Sequence, residues 1–124
     1  MGAKRVLVVD DEQDIVAALK FRLEASGYEV IPSYDGEDGL QKARSVSPDL
    51  IISDVMLPKI DGYKMCSLLK KDSRYASIPV IMLTARAQEN DKQTGVQAGA
   101  DIYLTKPFES HVLLTHVRQL LKES

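Results

Sequence analysis

The chain has 124 residues, 44% apolar and 27% charged, with a formal net charge of −2. That balance fits one globular domain with a core of its own and excludes the basic field that draws a protein to nucleic acid. The single cysteine, Cys66, rules out an internal disulfide framework, and the chain has neither an apolar run near the ~20 residues of a membrane span nor a secretion signal, so a cytoplasmic protein is expected.

The first element is "RVLVV" (5–9), an apolar strand that runs straight into Asp10, Asp11 and Glu12. Ile15, Leu19 and Leu23 then repeat at helical spacing, and Gly27 closes that helix. A second strand follows at "YEVIP" (28–32), and Asp35-Gly36 opens a second helix with Leu40 and Ala43 inward, closed before Pro48. "DLIIS" (49–53) is the third strand and leads into Asp54. Asp61-Gly62 is a turn signal that opens a third helix carrying Met65, Leu68 and Leu69. Cys66 lies there as a small packing residue. "IPVIML" (78–83) is the fourth strand, followed by Thr84 and Ala85. A polar helix with one inward valine, Val96, is expected from about Gln88 to Gln97. "DIYLT" (101–105) is the fifth strand, followed by Lys106 and Pro107, and a last helix carries Val112, Leu113, His116, Val117, Leu120 and Leu121. His116 falls on its apolar face as a packing residue, and neither it nor His111 is placed as a ligand.

Val- and Ile-rich runs bounded by Gly, Pro, Asp or Ser favour strands. The first, third and fourth are apolar throughout, as strands covered on both faces are. Strand and helix alternate five times, which predicts an α/β fold with a doubly wound parallel sheet and right-handed crossovers. The pattern occupies residues 1–124 as one domain, with no output domain expected. In such sheets the functional site lies beyond the carboxyl ends of the strands. Here those ends bring acids, a hydroxyl and an ammonium to one rim.

"VLVVDDE", "DLIISDVMLPKIDG", "PVIMLTA" and "ADIYLTKPF" together resemble the receiver domain of two-component response regulators, over the whole chain and in order. The resemblance implies a flavodoxin-like sheet of order 2-1-3-4-5. It implies that Asp54 accepts a phosphoryl group from a sensor histidine kinase or a phosphotransfer protein, and that the surface change controls an output domain or target protein. A carboxylate can attack a phosphoryl group to form an acyl phosphate. Both reactants are anionic, so a cation is needed, and clustered carboxylates suit Mg²⁺. By resemblance, Asp11 and Asp54 bind Mg²⁺ directly, Asp10 partly through water, and the Met56 main-chain carbonyl is a further ligand. Lys106 and Thr84 meet the phosphoryl oxygens, and Ala85 leaves its path open. Tyr103 is the switch aromatic, Lys106-Pro107 the cis peptide, and Met56 and Arg86 tune hydrolysis. The domain promotes its own phosphorylation and slow dephosphorylation but is not otherwise an enzyme.

Read singly, the same residues are bland. Asp10 is a turn former, Asp11 or Glu12 a helix cap, Thr84 a β-branched strand residue, Lys106 a solvated cation and Tyr103 a half-buried aromatic. Met56 and Arg86 read equally well as ordinary rim residues. Three rival functions stay open. A haloacid-dehalogenase-type hydrolase would use Asp10 as nucleophile, with an aspartate two residues on, where this chain has Glu12. A flavodoxin-like carrier needs a hydroxyl- and glycine-rich phosphate loop, where this chain has three acids. A phosphorylation-independent interaction domain has no use for the full residue set. Receivers that feed winged-helix domains often carry two acids before the aromatic of strand five. "ADIY" has Ile102 in the second place, which speaks against the salt-bridged dimer that such an acid supports and adds apolar surface there.

Overall fold

A computed structural model describes residues 2–85 and 99–122. The elements run β1 (Arg5–Val9), α1 (Gln13–Ala25), β2 (Glu29–Ser33), α2 (Gly36–Val46), β3 (Leu50–Asp54), α3 (Gly62–Lys70), β4 (Val80–Thr84), β5 (Ile102–Thr105) and α4 (Ser110–Leu120). The helix expected over 88–97, with Val96, and Arg86 lie outside the described residues. The five strands form one parallel sheet of order β2-β1-β3-β4-β5.

Alternation along the strands divides the core. Val6, Val8, Leu50, Ile52, Ile81 and Leu83 face α1 and α4, where Val16, Leu19, Leu23, Leu113 and Val117 meet them. Leu7, Val9, Ile51, Val80 and Met82 face α2 and α3, against Leu40, Ala43, Met65, Cys66 and Leu69. Period-two strands thus supply both faces, and period-3.6 helices cover them. Ile102 is half-buried and packs on the α1–α4 cluster, so less of it is free surface than expected. Burial pushes the Cys66 thiol up to about 11, so it stays a packing group rather than a nucleophile.

Element ends follow local chemistry. The Asp35 carboxylate accepts from the Asp38 N–H at 2.7 Å and that of Asp61 from the Lys64 N–H at 2.8 Å, capping α2 and α3. Glu12 precedes α1 without a side-chain capping bond, so the cap expected there is not made by its carboxylate. β4 begins at Val80 rather than Ile78, because Pro79 has no N–H to give the ladder. β3 and β4 extend to take in Asp54 and Thr84 as their last residues.

Candidate functional site

Strand register assembles the rim. Val9 pairs with Ser53, so the next residues, Asp10 and Asp54, leave adjacent strands side by side. Asp54 pairs with Leu83 and Thr84 with Thr105, which brings Thr84 and Lys106 to the same edge. The Lys106 N–H donates to the Thr84 carbonyl at 2.6 Å, fixing the turn after β5. The Lys106-Pro107 bond is cis.

Asp10, Asp54 and Thr84 are all buried, at 1%, 6% and 1% exposure. Buried charges need partners. Lys106 Nζ supplies one, 2.9 Å from Asp10 Oδ2 and 3.4 Å from Asp54 Oδ2. Asp10 Oδ1 accepts from the Glu12 N–H at 2.9 Å, which folds the chain back at the start of α1. Carboxylate oxygens of Asp10, Glu12 and Asp54 all lie within 4.8 Å of one another. Among the described residues one lysine, Lys106, pairs with this cluster of three acids, and the excess negative charge there suits a divalent cation.

The protonation behaviour follows. Burial, then the charge of Asp10, raises the Asp54 pKa, and Lys106 opposes both. Burial alone would lower Lys106; the hydrogen bond to Asp10 and the charges of Asp54 and Asp10 outweigh it, so its pKa ends raised. Lys106 is therefore a fixed cation between two buried acids, not the solvated side chain it resembles in isolation.

The acid grouping differs from the expected one in one member. Asp11 is exposed and lies outside the cluster, and Glu12 is inside it. The bond from the Glu12 N–H to Asp10 Oδ1 bends the chain at Asp11 and brings the Glu12 carboxylate beside that of Asp10. Met56 is exposed at 58%, on the turn after Asp54. Ala85 is exposed at the rim. Tyr103 is half-buried on the α2–α3 side of the sheet, its hydroxyl 3.3 Å from that of Tyr63 on α3. An apolar groove of about 610 Å³ opens beside Lys106, lined by Ile15, Leu19, Ala85, Pro107 and Phe108 among others.

The model of the response regulator receiver domain matches residues 6–118. This chain belongs to that family. It is 47% identical over 121 residues to the alkaline phosphatase synthesis transcriptional regulatory protein PhoP of Bacillus subtilis, covering 98% of this chain and 50% of that protein. It is 46% identical over 120 residues to the DNA-binding dual master transcriptional regulator RpaA of Synechocystis, covering 97% and 50%. The chain thus spans about half the length of the curated relatives it matches. Among solved structures, a putative response regulator from Chloroflexus aurantiacus superposes with a TM-score of 0.92 at 37% identity, covering 98% of this chain and 99% of that one. The chemotaxis response regulator CheY4 of Vibrio cholerae gives 0.89 at 35%, covering 95% and 98%.

Receivers are phosphorylation-dependent signalling switches with an acidic Mg²⁺ site, and this chain has both the fold and the acidic cluster. The hydrolase and electron-carrier readings fall with the family match. No helix among the described residues is long and apolar enough to cross a membrane.

Proposed function

We propose that Asp54 is the phosphoacceptor of this receiver. The observation that carries the assignment is a buried carboxylate at a strand end, 3.4 Å from a lysine that also holds Asp10. The donor is a phosphohistidine of a sensor kinase or phosphotransfer protein. An Asp54 oxygen attacks phosphorus, the P–N bond breaks, and its electron pair leaves with the imidazole, which takes a proton from solvent. Lys106 stabilises the phosphoryl oxygens, and Thr84 donates its hydroxyl to them. Ala85 keeps the approach open, and the apolar groove beside Lys106 offers the donor protein a contact surface.

By resemblance Asp10, Asp11 and Asp54, with the Met56 carbonyl, would hold Mg²⁺, and the carboxylate cluster adds Glu12 as a candidate ligand. The fit is chemical: clustered hard oxygen donors with excess negative charge among the described residues match a hard divalent ion. When bound, the ion offsets repulsion between the acids and an incoming phosphoryl group. The domain catalyses its own phosphorylation from small donors and slow hydrolysis, with Met56 and Arg86 setting the rate.

The output is a switch. Thr84 and Tyr103 lie on the same side of the sheet, because Tyr103 pairs with Met82 and Thr105 with Thr84. A phosphoryl group that draws Thr84 toward Asp54 frees space for Tyr103 to turn, biasing a two-state equilibrium. The relatives' names support an output that regulates transcription, carried by a DNA-binding domain or a target protein in the cytoplasm. Incubation with acetyl phosphate and Mg²⁺, followed by intact mass, tests the site. One phosphoryl mass is expected on the wild type and none on Asp54→Asn; equal labelling of the mutant would reject Asp54.

A further inference from the structure

The turn that joins β3 to α3, residues 55–61, is held by main chain on both flanks. On one flank Gly62, the first residue of α3, donates its N–H to the Val55 carbonyl at 2.9 Å. A Cβ on Gly62 would collide with the Asp54 carbonyl oxygen and lie 3.1 Å from Asp54 C and Val55 Cα. That same carbonyl accepts from Ser53 Oγ at 2.9 Å, and the Val55 N–H donates to Leu83 at 3.0 Å. On the other flank Gly36, the first residue of α2, donates its N–H to the Pro58 carbonyl at 3.2 Å. A Cβ there would collide with the Ile60 carbonyl oxygen. Between the two, Lys59 takes a left-handed φ of 71°, and the Ile60 N–H returns to the Pro58 carbonyl at 2.9 Å.

These contacts are backbone against backbone. A side chain can rotate away from an added methyl; a carbonyl in a hydrogen-bonded turn cannot. Gly39 makes the contrast: a Cβ there would meet only side-chain atoms of Val9 and Met65, at 3.0 Å. Close approach of main chain is a role only glycine fills.

We propose that Gly36 and Gly62 are positioning residues for phosphoryl transfer, a two-point clamp on the 55–61 turn that fixes the Asp54 main chain and the Met56 carbonyl. The proposal rests on Asp54 being the phosphoacceptor. Gly36 meets the turn at Pro58 and Ile60, so its effect on Asp54 would pass through the turn. Displacement of a reacting group by about 1 Å costs about 100-fold in rate, so loosening the clamp reads out as slower chemistry in a folded protein.

The test compares Gly36→Ala, Gly62→Ala and the control Gly39→Ala, each held well below its own melting temperature. Phosphoryl mass gain is timed at saturating acetyl phosphate and Mg²⁺. Gly36→Ala and Gly62→Ala are expected to label about 10- to 100-fold more slowly than wild type, and Gly39→Ala at the wild-type rate even where it melts lower. A folded Gly36→Ala that labels at the wild-type rate, or a Gly39→Ala that loses as much as Gly36→Ala, overturns the clamp. An unlabelled wild type overturns instead the assignment of Asp54 beneath it. Should the clamp variants not fold, the wild type decides through hydrogen exchange with and without beryllofluoride. The Gly36 and Gly62 amides are expected to slow by about 10-fold when the site is loaded; unchanged rates overturn the proposal.

Discussion

Two half-buried lysines stand at opposite rims of the sheet, and they are built differently. Lys70, before the start of β4, donates to the Ala76 carbonyl at 3.1 Å, the Ile78 carbonyl at 2.6 Å and Asp101 Oδ2 at 3.3 Å. Asp101 in turn accepts from the Val80 N–H at 2.8 Å. One charge meets one charge, and the lysine's remaining hydrogens go to the main chain. Lys106 meets two buried carboxylates, with a third acid nearby. The first arrangement is closed and ties loops together. The second carries excess charge and stays open to a ligand. Burial of a lysine beside an aspartate is common to both; the balance of charge separates a staple from a site.

The largest expected effect comes from exchanging the fates of these two lysines. Lys106→Ala removes the cation facing the phosphoryl oxygens and should slow labelling by about 100-fold, the scale of losing one transition-state donor. Lys70→Ala leaves several acceptors without a donor and should cost about 2–3 kcal/mol in denaturant unfolding, with labelling of the folded fraction unchanged. Comparable labelling defects in both variants would erase the distinction.

Next in size is the repulsion at the open rim. Like charges within 4.8 Å of one another repel by about 3 kcal/mol at an effective dielectric near 20, and Lys106 offsets part of this. In EDTA, Asp54→Asn should therefore raise stability by about 1–2 kcal/mol. Millimolar Mg²⁺ should stabilise the wild type and Lys70→Ala alike, and Asp54→Asn less. A wild-type melting temperature indifferent to Mg²⁺ would contradict a metal seat.

Acid titration in EDTA sharpens the contrast between a strained and a satisfied acid. Burial raises the Asp54 pKa from the usual 3.8, so the folded state binds that proton more tightly than the unfolded chain. The penalty is absent below 3.8 and fully present above the raised value, so the advantage of Asp54→Asn shrinks as pH falls through that window. Asp38 runs the other way. Its hydrogen bond from Ser33 Oγ, at 2.7 Å, lowers its pKa from 3.8. Its contribution is present above 3.8 and is lost as pH falls through the lowered value, so Asp38→Asn weakens the protein at neutral pH and converges with the wild type in acid. Stability curves of the two variants that move in the same direction would refute this assignment of strain.

The smallest effect separates Glu12 from Asp11. Glu12→Gln and Asp11→Asn should each reduce Mg²⁺ affinity by only about 3- to 10-fold, well below the effect of removing Asp54. The cluster geometry ranks Glu12 above Asp11, and the family resemblance ranks them the other way; a titration of each variant by calorimetry decides between them.

The strands were legible because Val6 to Val9, Leu50 to Ile52 and Val80 to Leu83 are buried on both faces, which leaves continuous apolar runs in the sequence. Asp35 and Asp61 were legible as openings of helices because capping is local. The rim was legible because register, once the strand order is known, brings Asp10, Asp54, Thr84 and Lys106 to one edge. The inward turn of Glu12 was not, since it depends on a two-residue reversal fixed by Asp10 Oδ1. Nor was the staple at Lys70, whose main-chain acceptors carry no residue identity. Gly36 and Gly62 read as the openings of helices; that they abut the main chain of Ile60 and Asp54 appears only when the elements are packed.

The most direct measurement is where the phosphoryl group lands. After labelling with acetyl phosphate and Mg²⁺, borohydride reduction converts an acyl phosphate into a stable alcohol that peptide mass spectrometry can locate. Modification confined to Asp54 is the expected result. Modification of Asp10 or Glu12, or label retained in Asp54→Asn, would contradict it.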